Sequence, residues 1–228
     1  MIYAMSDIHG EYDRYIALLE KIGFCDDDTL YVIGDVVDRG PDSVRLLQDM
    51  AARPNVYLIR GNHEAMLCFL CDRLGDDLLQ TPQDPNLREA LDLWKADGGD
   101  ITLRQLAALP PEERYDLLDY MDDTPLYDLV EAGGNAFLLV HAGLGNFSPD
   151  KPLEAYTYSE LCCKRPDYDR QYFPAQNLYI VCGHTPTQLV TGKAEIYQSH
   201  NNILIDCGAV FGGRLACICL DTFETYYA

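Results

Sequence analysis

Five short clusters of chemically competent residues punctuate the chain. They are Asp7-Ile8-His9-Gly10, Gly34-Asp35-Val36-Val37-Asp38-Arg39-Gly40, Gly61-Asn62-His63-Glu64, His141-Ala142-Gly143 and Gly183-His184-Thr185-Pro186. Four of the five histidines fall inside them, and only His200 lies outside. Carboxylates, imidazoles and one amide oxygen, with no thiolate among them, form a donor set of borderline hardness suited to Mn²⁺, Fe or Zn²⁺. Gly and Asp are also common turn residues, so five unrelated turns are the plain alternative. Against that stands the pattern G-D-x-x-D-R-G, whose chance occurrence in a chain this long is on the order of one in ten thousand at average residue usage.

Each cluster follows an apolar run. Ile2–Met5, Leu30–Ile33, Val56–Ile59, Ala136–Val140 and Tyr179–Cys182 read as strands. Helical spacing marks Tyr12–Ile22, Val44–Met50 (opened by Pro41 and Asp42) and Glu64–Leu74. Strand–helix alternation with short connections implies right-handed βαβ units and a parallel sheet. Ligands of open α/β sheets sit at the carboxyl ends of the strands, so the clusters are expected along one sheet edge. Residues 75–127 break the pattern. They are acidic, hold five of the twelve prolines and show helical spacing at Leu87–Trp94 and Leu103–Leu109, which reads as a helical insertion or cap within one domain spanning 1–228. Residues 145–177 read as loop and short helix, and strands at Asn202–Ile205 and Arg214–Leu220 make the C-terminal part β-rich.

Composition bounds the possibilities. The chain has 228 residues, 48% hydrophobic, which is enough to bury a core without disulfides or structural zinc. A formal charge of −20 leaves no basic excess to neutralise a nucleic-acid backbone, so no nucleic-acid partner is expected. An anionic substrate can bind only where a local positive centre overrides that field. No apolar run approaches a membrane span of roughly 20 residues. The first thirteen residues have no basic region and meet an acid at Asp7, unlike a secretory signal. Nine scattered cysteines then read as reduced thiols in a cytoplasmic protein. Cys68-x-x-Cys71 has no second pair to complete a zinc site.

The ordered set of clusters resembles the phosphoprotein phosphatase family of calcineurin-like metallophosphoesterases, including small bacterial and phage Ser/Thr phosphatases. The family pattern, G-D-x-H-G, G-D-x-x-D-R-G, G-N-H-E, H-G/A-G and G-H-T, is met throughout except that Ser6 replaces the first Gly. The resemblance spans most of the chain outside 75–127. It implies an α/β fold, a sandwich of mixed β-sheets flanked by helices. It also implies two divalent ions, manganese first and iron or zinc as alternatives. Asp7, His9 and Asp35 would hold one ion, with Asp35 bridging to a second held also by Asn62, His141 and His184. Such a pair activates a water for in-line attack on phosphorus without a covalent phosphoenzyme. His63, paired with Asp38, would be the general acid, and Asn62 and Arg39 would bind phosphate oxygens. A second phosphate-binding arginine is expected between the last two motifs. Arg165, in Leu161-Cys-Cys-Lys-Arg165, fits better than Arg170. Asp206, in Ile205-Asp206-Cys-Gly208, supports either the site or a hairpin turn.

The leading expectation is therefore a metal-dependent phosphomonoesterase acting on phosphorylated proteins or small phosphoesters. The alternative is a symmetrical dinucleoside tetraphosphate hydrolase or related pyrophosphohydrolase, which shares most of these motifs. The Pro41-Asp42-Ser43 continuation is compatible with both.

Overall fold

The structure, a computed structural model, describes residues 1–174 and 177–228. In chain order the first third runs β1 (Ile2–Met5), α1 (Tyr12–Ile22), β2 (Thr29–Ile33), α2 (Ser43–Ala52), β3 (Val56–Ile59) and α3 (Asn62–Leu74). Next come α4 (Pro85–Trp94), a π-type turn at Lys95–Gly99, α5 (Asp100–Ala107) and α6 (Pro111–Asp122). β4 (Tyr127–Ala132), β5 (Asn135–Val140), α7 (Tyr158–Cys162), β6 (Leu178–Cys182), α8 (Thr187–Thr191), β7 (Tyr197–Ser199), β8 (Asn202–Leu204), β9 (Ala216–Cys219) and β10 (Thr225–Tyr227) complete the chain.

Local chemistry sets several boundaries. α1 stops at Gly23, whose left-handed backbone (φ 64°) returns its N–H to the carbonyls of Glu20 and Leu19. α4 starts where Asp84 accepts the Asn86 N–H at 2.9 Å and Pro85 presets the first turn.

Two five-stranded sheets form, in the orders β10-β9-β1-β2-β3 and β4-β5-β6-β8-β7. β1, β2 and β3 are parallel, as are β5, β6 and β8. β9, β10, β4 and β7 add antiparallel partners. Because successive side chains face opposite ways, each buried strand feeds two cores. Ala4, Ile33, Phe137, Leu139, Val181 and Ile218 pack between the sheets. Tyr3, Met5, Leu30 and Val32 face the helical layer. Leu91, Trp94, Leu103, Leu106, Leu117 and Met121 join that same helical-side cluster, so α4–α6 share a core with β1 and β2.

The molecule departs from the sequence expectation in several places. The five clusters lie at the ends of strands from two sheets, three from one and two from the other, not along a single edge. α6 and the strands β4, β7 and β10 were not expected. α6 carries its aliphatic residues only at Leu117, Leu118 and Met121, beside Tyr115 and Tyr120, within an acidic, proline-flanked stretch, and β7 and β10 are three residues each. The cysteines are free thiols, and burial pushes Cys68 and Cys71 up to about 12, the behaviour of packing residues. Among the described residues, no helix is long and apolar enough to cross a membrane.

Candidate active site

The loop after β1 continues the ladder with the loop after β2. Asp7, His9 and Gly10 donate backbone N–H groups to the carbonyls of Gly34, Asp35 and Val36 at 3.0, 2.9 and 2.7 Å. The two motifs are thus held in register beyond the sheet. The loops after β5 and β6 are tied likewise, Gly183 N–H donating to His141 O at 2.8 Å. The two halves meet where the His184 N–H donates to the Asp7 carboxylate at 3.0 Å. A Cβ on Gly183 would run into that carboxylate, so only glycine admits the approach.

Backbone strain concentrates here. Nine non-glycine residues have left-handed backbones among the described residues, and six of them are Asp7, His9, Asp35, Asp38, Arg39 and His184. Such conformations cost on the order of 1 kcal/mol or more each and persist where the surroundings over-determine them, typically at functional sites. Glu64 supplies much of the determination. Its fully buried carboxylate accepts the N–H groups of Asp35 (2.9 Å), Val36 (2.7 Å), Val37 (3.2 Å) and Gly61 (2.9 Å). Stranding such buried donors costs roughly 1–3 kcal/mol apiece.

Asp35 lies at the centre. Its Oδ2 is 3.3 Å from His141 Nε2, 3.8 Å from His9 Nε2 and 3.9 Å from His63 Nε2. Two groups of ligand-type atoms, His9–Asp35–His63 and Asp35–His141–His184, each fit within 4.8 Å, and Asp35 belongs to both. Second partners orient the rings. His9 Nδ1 donates to Val37 O (2.8 Å) and His141 Nδ1 to Ile33 O (2.9 Å), which turns both Nε2 atoms inward, that of His9 as a lone pair and that of His141 toward Asp35. Asn62 Oδ1 lies 3.1 Å from His141 Nε2. Asp7 is in neither group, but it lines the same cavity, of about 300 Å³, with Asp35, Asn62, His63, Arg39, Arg165, His184 and Asp206.

The electrostatics call for added positive charge. Burial and the Asp206 and Asp35 carboxylates hold Asp7 well above the usual carboxylate range, and burial raises Asp206 to about 6. Burial lowers His9 to about 3 and His184 to about 4, which keeps both neutral, as ligands must be. Burial also lowers His141, but Asp35 outweighs it and holds the ring at about 10. Asp35 itself sits well below its usual range: burial raises it, and the His141 and His63 rings overcome that. The Arg39 guanidinium donates to the inward Nε2 of His9, a cation already seated on one ligand lone pair. Buried acids around the neutral imidazoles of His9 and His184 are a donor set that fits divalent cations, and a cation beside Asp35 would take the place of the proton on His141.

His63 is placed differently. Its Nδ1 donates to Asp38 Oδ2 at 2.6 Å while its Nε2 faces Asp35 and, at 3.5 Å, the Asp97 carboxylate. Burial lowers this ring, but the Asp35 and Asp38 carboxylates outweigh burial and raise it. Trp94 Nε1 donates to the same Asp38 Oδ2 at 2.6 Å, and the Asp38 N–H is held by Thr102 Oγ1 at 2.9 Å. Arg39 donates to both oxygens of Asp97 at 3.1 Å, and its backbone N–H to Gly98 O at 3.0 Å. Gly98 (φ 100°) can hold the π-type turn this close because a Cβ would come within 2.6 Å of the Arg39 side chain. Trp94, Asp97 and Thr102 were not expected at the site.

All ten candidate residues except Asp38, His9 and His141 are cavity-lining, and those three bond to or abut lining residues. Arg165 lines the cavity, whereas Arg170 lies over the rings of Phe147 and Tyr172 at 4.8 and 5.6 Å. Asp206 serves both readings: it accepts the Gly208 N–H at 2.8 Å in a turn and lines the cavity.

Comparison with known proteins gives the family. The asymmetrical bis(5'-nucleosyl)-tetraphosphatase PrpE of Bacillus velezensis is 29% identical over 92% of this chain and 85% of its own length. The symmetrical bis(5'-nucleosyl)-tetraphosphatase of Neisseria gonorrhoeae is 28% identical over 97% and 93%. A protein serine/threonine phosphatase from Saccharomyces cerevisiae shares the fold, with a TM-score of 0.66 at 16% identity over 100% of this chain and 79% of that one. The model of the Metallophos family, calcineurin-like phosphoesterase, matches residues 1–214 and so takes in all five clusters. The chain belongs to the calcineurin-like phosphoesterases, metal-dependent hydrolases of phosphoester bonds.

Proposed function

We propose that this chain hydrolyses dinucleoside polyphosphates, dinucleoside tetraphosphates first among them. The observation that carries the reaction type is the sharing of Asp35 between two groups of ligand atoms beside Arg39 and His63. Substrate class is supported by the tetraphosphatases that match along more than nine-tenths of the chain. The sequence reading put phosphomonoesters first, and these relatives favour its alternative.

Asp7, His9 and Asp35 would hold one divalent ion, and Asp35, Asn62, His141 and His184 a second, with manganese the first choice and iron or zinc open. When bound, such a pair polarises phosphoryl oxygens and lowers the pKa of a water. The protein supplies the rest. Arg39 and Arg165 bind non-bridging oxygens, Arg39 leaving Asp97 and the His9 Nε2 to do so. Asn62, at the start of α3, orients the phosphoryl group. His63, its ring oriented by Asp38 and its proton affinity raised by the Asp35 and Asp38 carboxylates, donates from Nε2 to the departing oxygen. Trp94 and Thr102 keep Asp38 turned toward that ring.

A second reading, phosphoprotein hydrolysis, is favoured by one feature. A raised imidazole acid is needed most when the leaving group is a serine or threonine alkoxide and least when it is a nucleotide phosphate. Turnover of diadenosine tetraphosphate and of a phosphoserine peptide, measured side by side with Mn²⁺, separates the two. We expect kcat/KM at least about tenfold higher for the dinucleotide, a difference of about 1.4 kcal/mol in transition-state binding. EDTA should abolish both activities and Mn²⁺ restore them. The reverse order would make the phosphoprotein reading correct, and activity that survives chelation would remove the metal from the mechanism.

A further inference from the structure

Two of the three most exposed large apolar side chains among the described residues, Leu189 at 70% and Phe211 at 63%, stand on the lip of the active-site cavity. Pro186 lines it beside them. Phe211 ends a tight turn, Ala209–Phe211, between Gly208 and Gly212, both left-handed. That turn is fixed from outside. Arg14 Nη1 donates to Ala209 O at 3.3 Å and Gly213 O at 2.9 Å, and Gln188 Nε2 donates to Cys207 O at 2.9 Å. The ring is thus displayed by an anchored loop, with the Arg39 guanidinium 5.2 Å from its centroid.

A cavity of about 300 Å³ is at the low end for ligand sites and admits phosphates more readily than a whole nucleotide. The remainder of a substrate gripped by Arg39 must lie over the lip. There the exposed Phe211 ring stands beside Arg39. Every nucleobase presents a π-face, so such a platform binds bases with little sequence preference.

We propose that Phe211, flanked by Leu189 and Pro186, is a nucleobase subsite, on which one base of the substrate stacks while its neighbouring phosphate lies on Arg39. This rests on the dinucleotide reading above and adds the residue that would recognise the nucleoside. An apolar peptide side chain is the competing occupant, disfavoured because the lip offers a flat ring face instead of a closed pocket.

The test compares competitive inhibition by AMP and by ribose 5-phosphate, which carry the same phosphate with and without a base. Wild-type protein and the Phe211→Ala and Phe211→Trp variants are assayed with p-nitrophenyl phosphate and Mn²⁺. We expect AMP to bind about tenfold tighter than ribose 5-phosphate to the wild type, in keeping with base–aromatic stacking. The ratio should fall to about twofold or less in Phe211→Ala and be retained in Phe211→Trp. A wild-type ratio near one, or a ratio unchanged in Phe211→Ala, would overturn the subsite. So would equal weakening of both inhibitors in Phe211→Ala, since the ring would then act only by holding Arg39. Diadenosine tetraphosphate turnover in parallel separates the two proposals: rapid turnover with a flat inhibitor ratio removes the subsite alone. Negligible turnover with the ratio intact removes the dinucleotide reading and leaves a nucleotide subsite.

Discussion

Asp35→Asn is expected to lower kcat/KM by at least about a thousandfold at saturating Mn²⁺, a loss of about 4 kcal/mol of transition-state stabilisation. The substitution keeps the side chain's size and removes one negative charge. Asp35 is the one carboxylate in both groups of ligand atoms, with Oδ2 facing His141, His9 and His63 and Oδ1 accepting the His63 N–H at 3.1 Å. Taking its charge away weakens the hold on two cations at once, and paired ions contribute several kcal/mol of charge stabilisation at phosphorus. Steady-state kinetics and bound-metal content on the same preparation check this. A loss of less than about tenfold, with metal content unchanged, would mean that the carboxylate is not shared.

His63→Asn should give the second-largest effect, and that effect should depend on the leaving group. For an alkyl phosphate we expect kcat to fall by roughly 10²–10⁴-fold, the usual contribution of a positioned proton donor. For p-nitrophenyl phosphate, whose phenolate departs with little help, the fall should be smaller than about tenfold. The ring is suited to this work because Asp38 Oδ2 binds Nδ1 at 2.6 Å and leaves Nε2 facing the cavity. Nε2 also lies close enough to Asp35 and His9 to serve as a ligand. The leaving-group comparison decides between these roles: an equal loss on both substrates would indicate a ligand or structural part, because removing a proton donor cannot harm a good leaving group as much as a poor one.

Much of this site was legible in the sequence because its parts are local. Asp7 and His9, Asp35 and Asp38, Asn62 and His63, His141, and His184 each follow directly on a strand, and strand ends are readable from apolar runs bounded by Gly and Asp. What was not legible depends on distance. Trp94, Asp97 and Thr102 reach Asp38 and Arg39 across 56, 58 and 64 residues, and no periodicity connects them. Their acidic, proline-containing surroundings read as a helical insertion or cap, and Leu91, Leu103 and Leu106 bury it in the main helical core. Glu64 was visible as a motif letter, but not as an acceptor for four backbone N–H groups. Arg165 and Arg170 sit five residues apart in similar surroundings, and only tertiary packing lays the second over Phe147 and Tyr172. Phe211 precedes two glycines that suggest a plain turn, and its exposure beside Arg39 appears only in three dimensions.

The most direct measurement is anomalous diffraction from crystals of the full chain loaded with Mn²⁺. Two anomalous peaks roughly 3.5–4 Å apart, with Asp35 between them, are expected. Asp7 and His9 should lie against one peak, and Asn62, His141 and His184 against the other. A single peak, or peaks that do not touch Asp35, would contradict a shared two-ion centre.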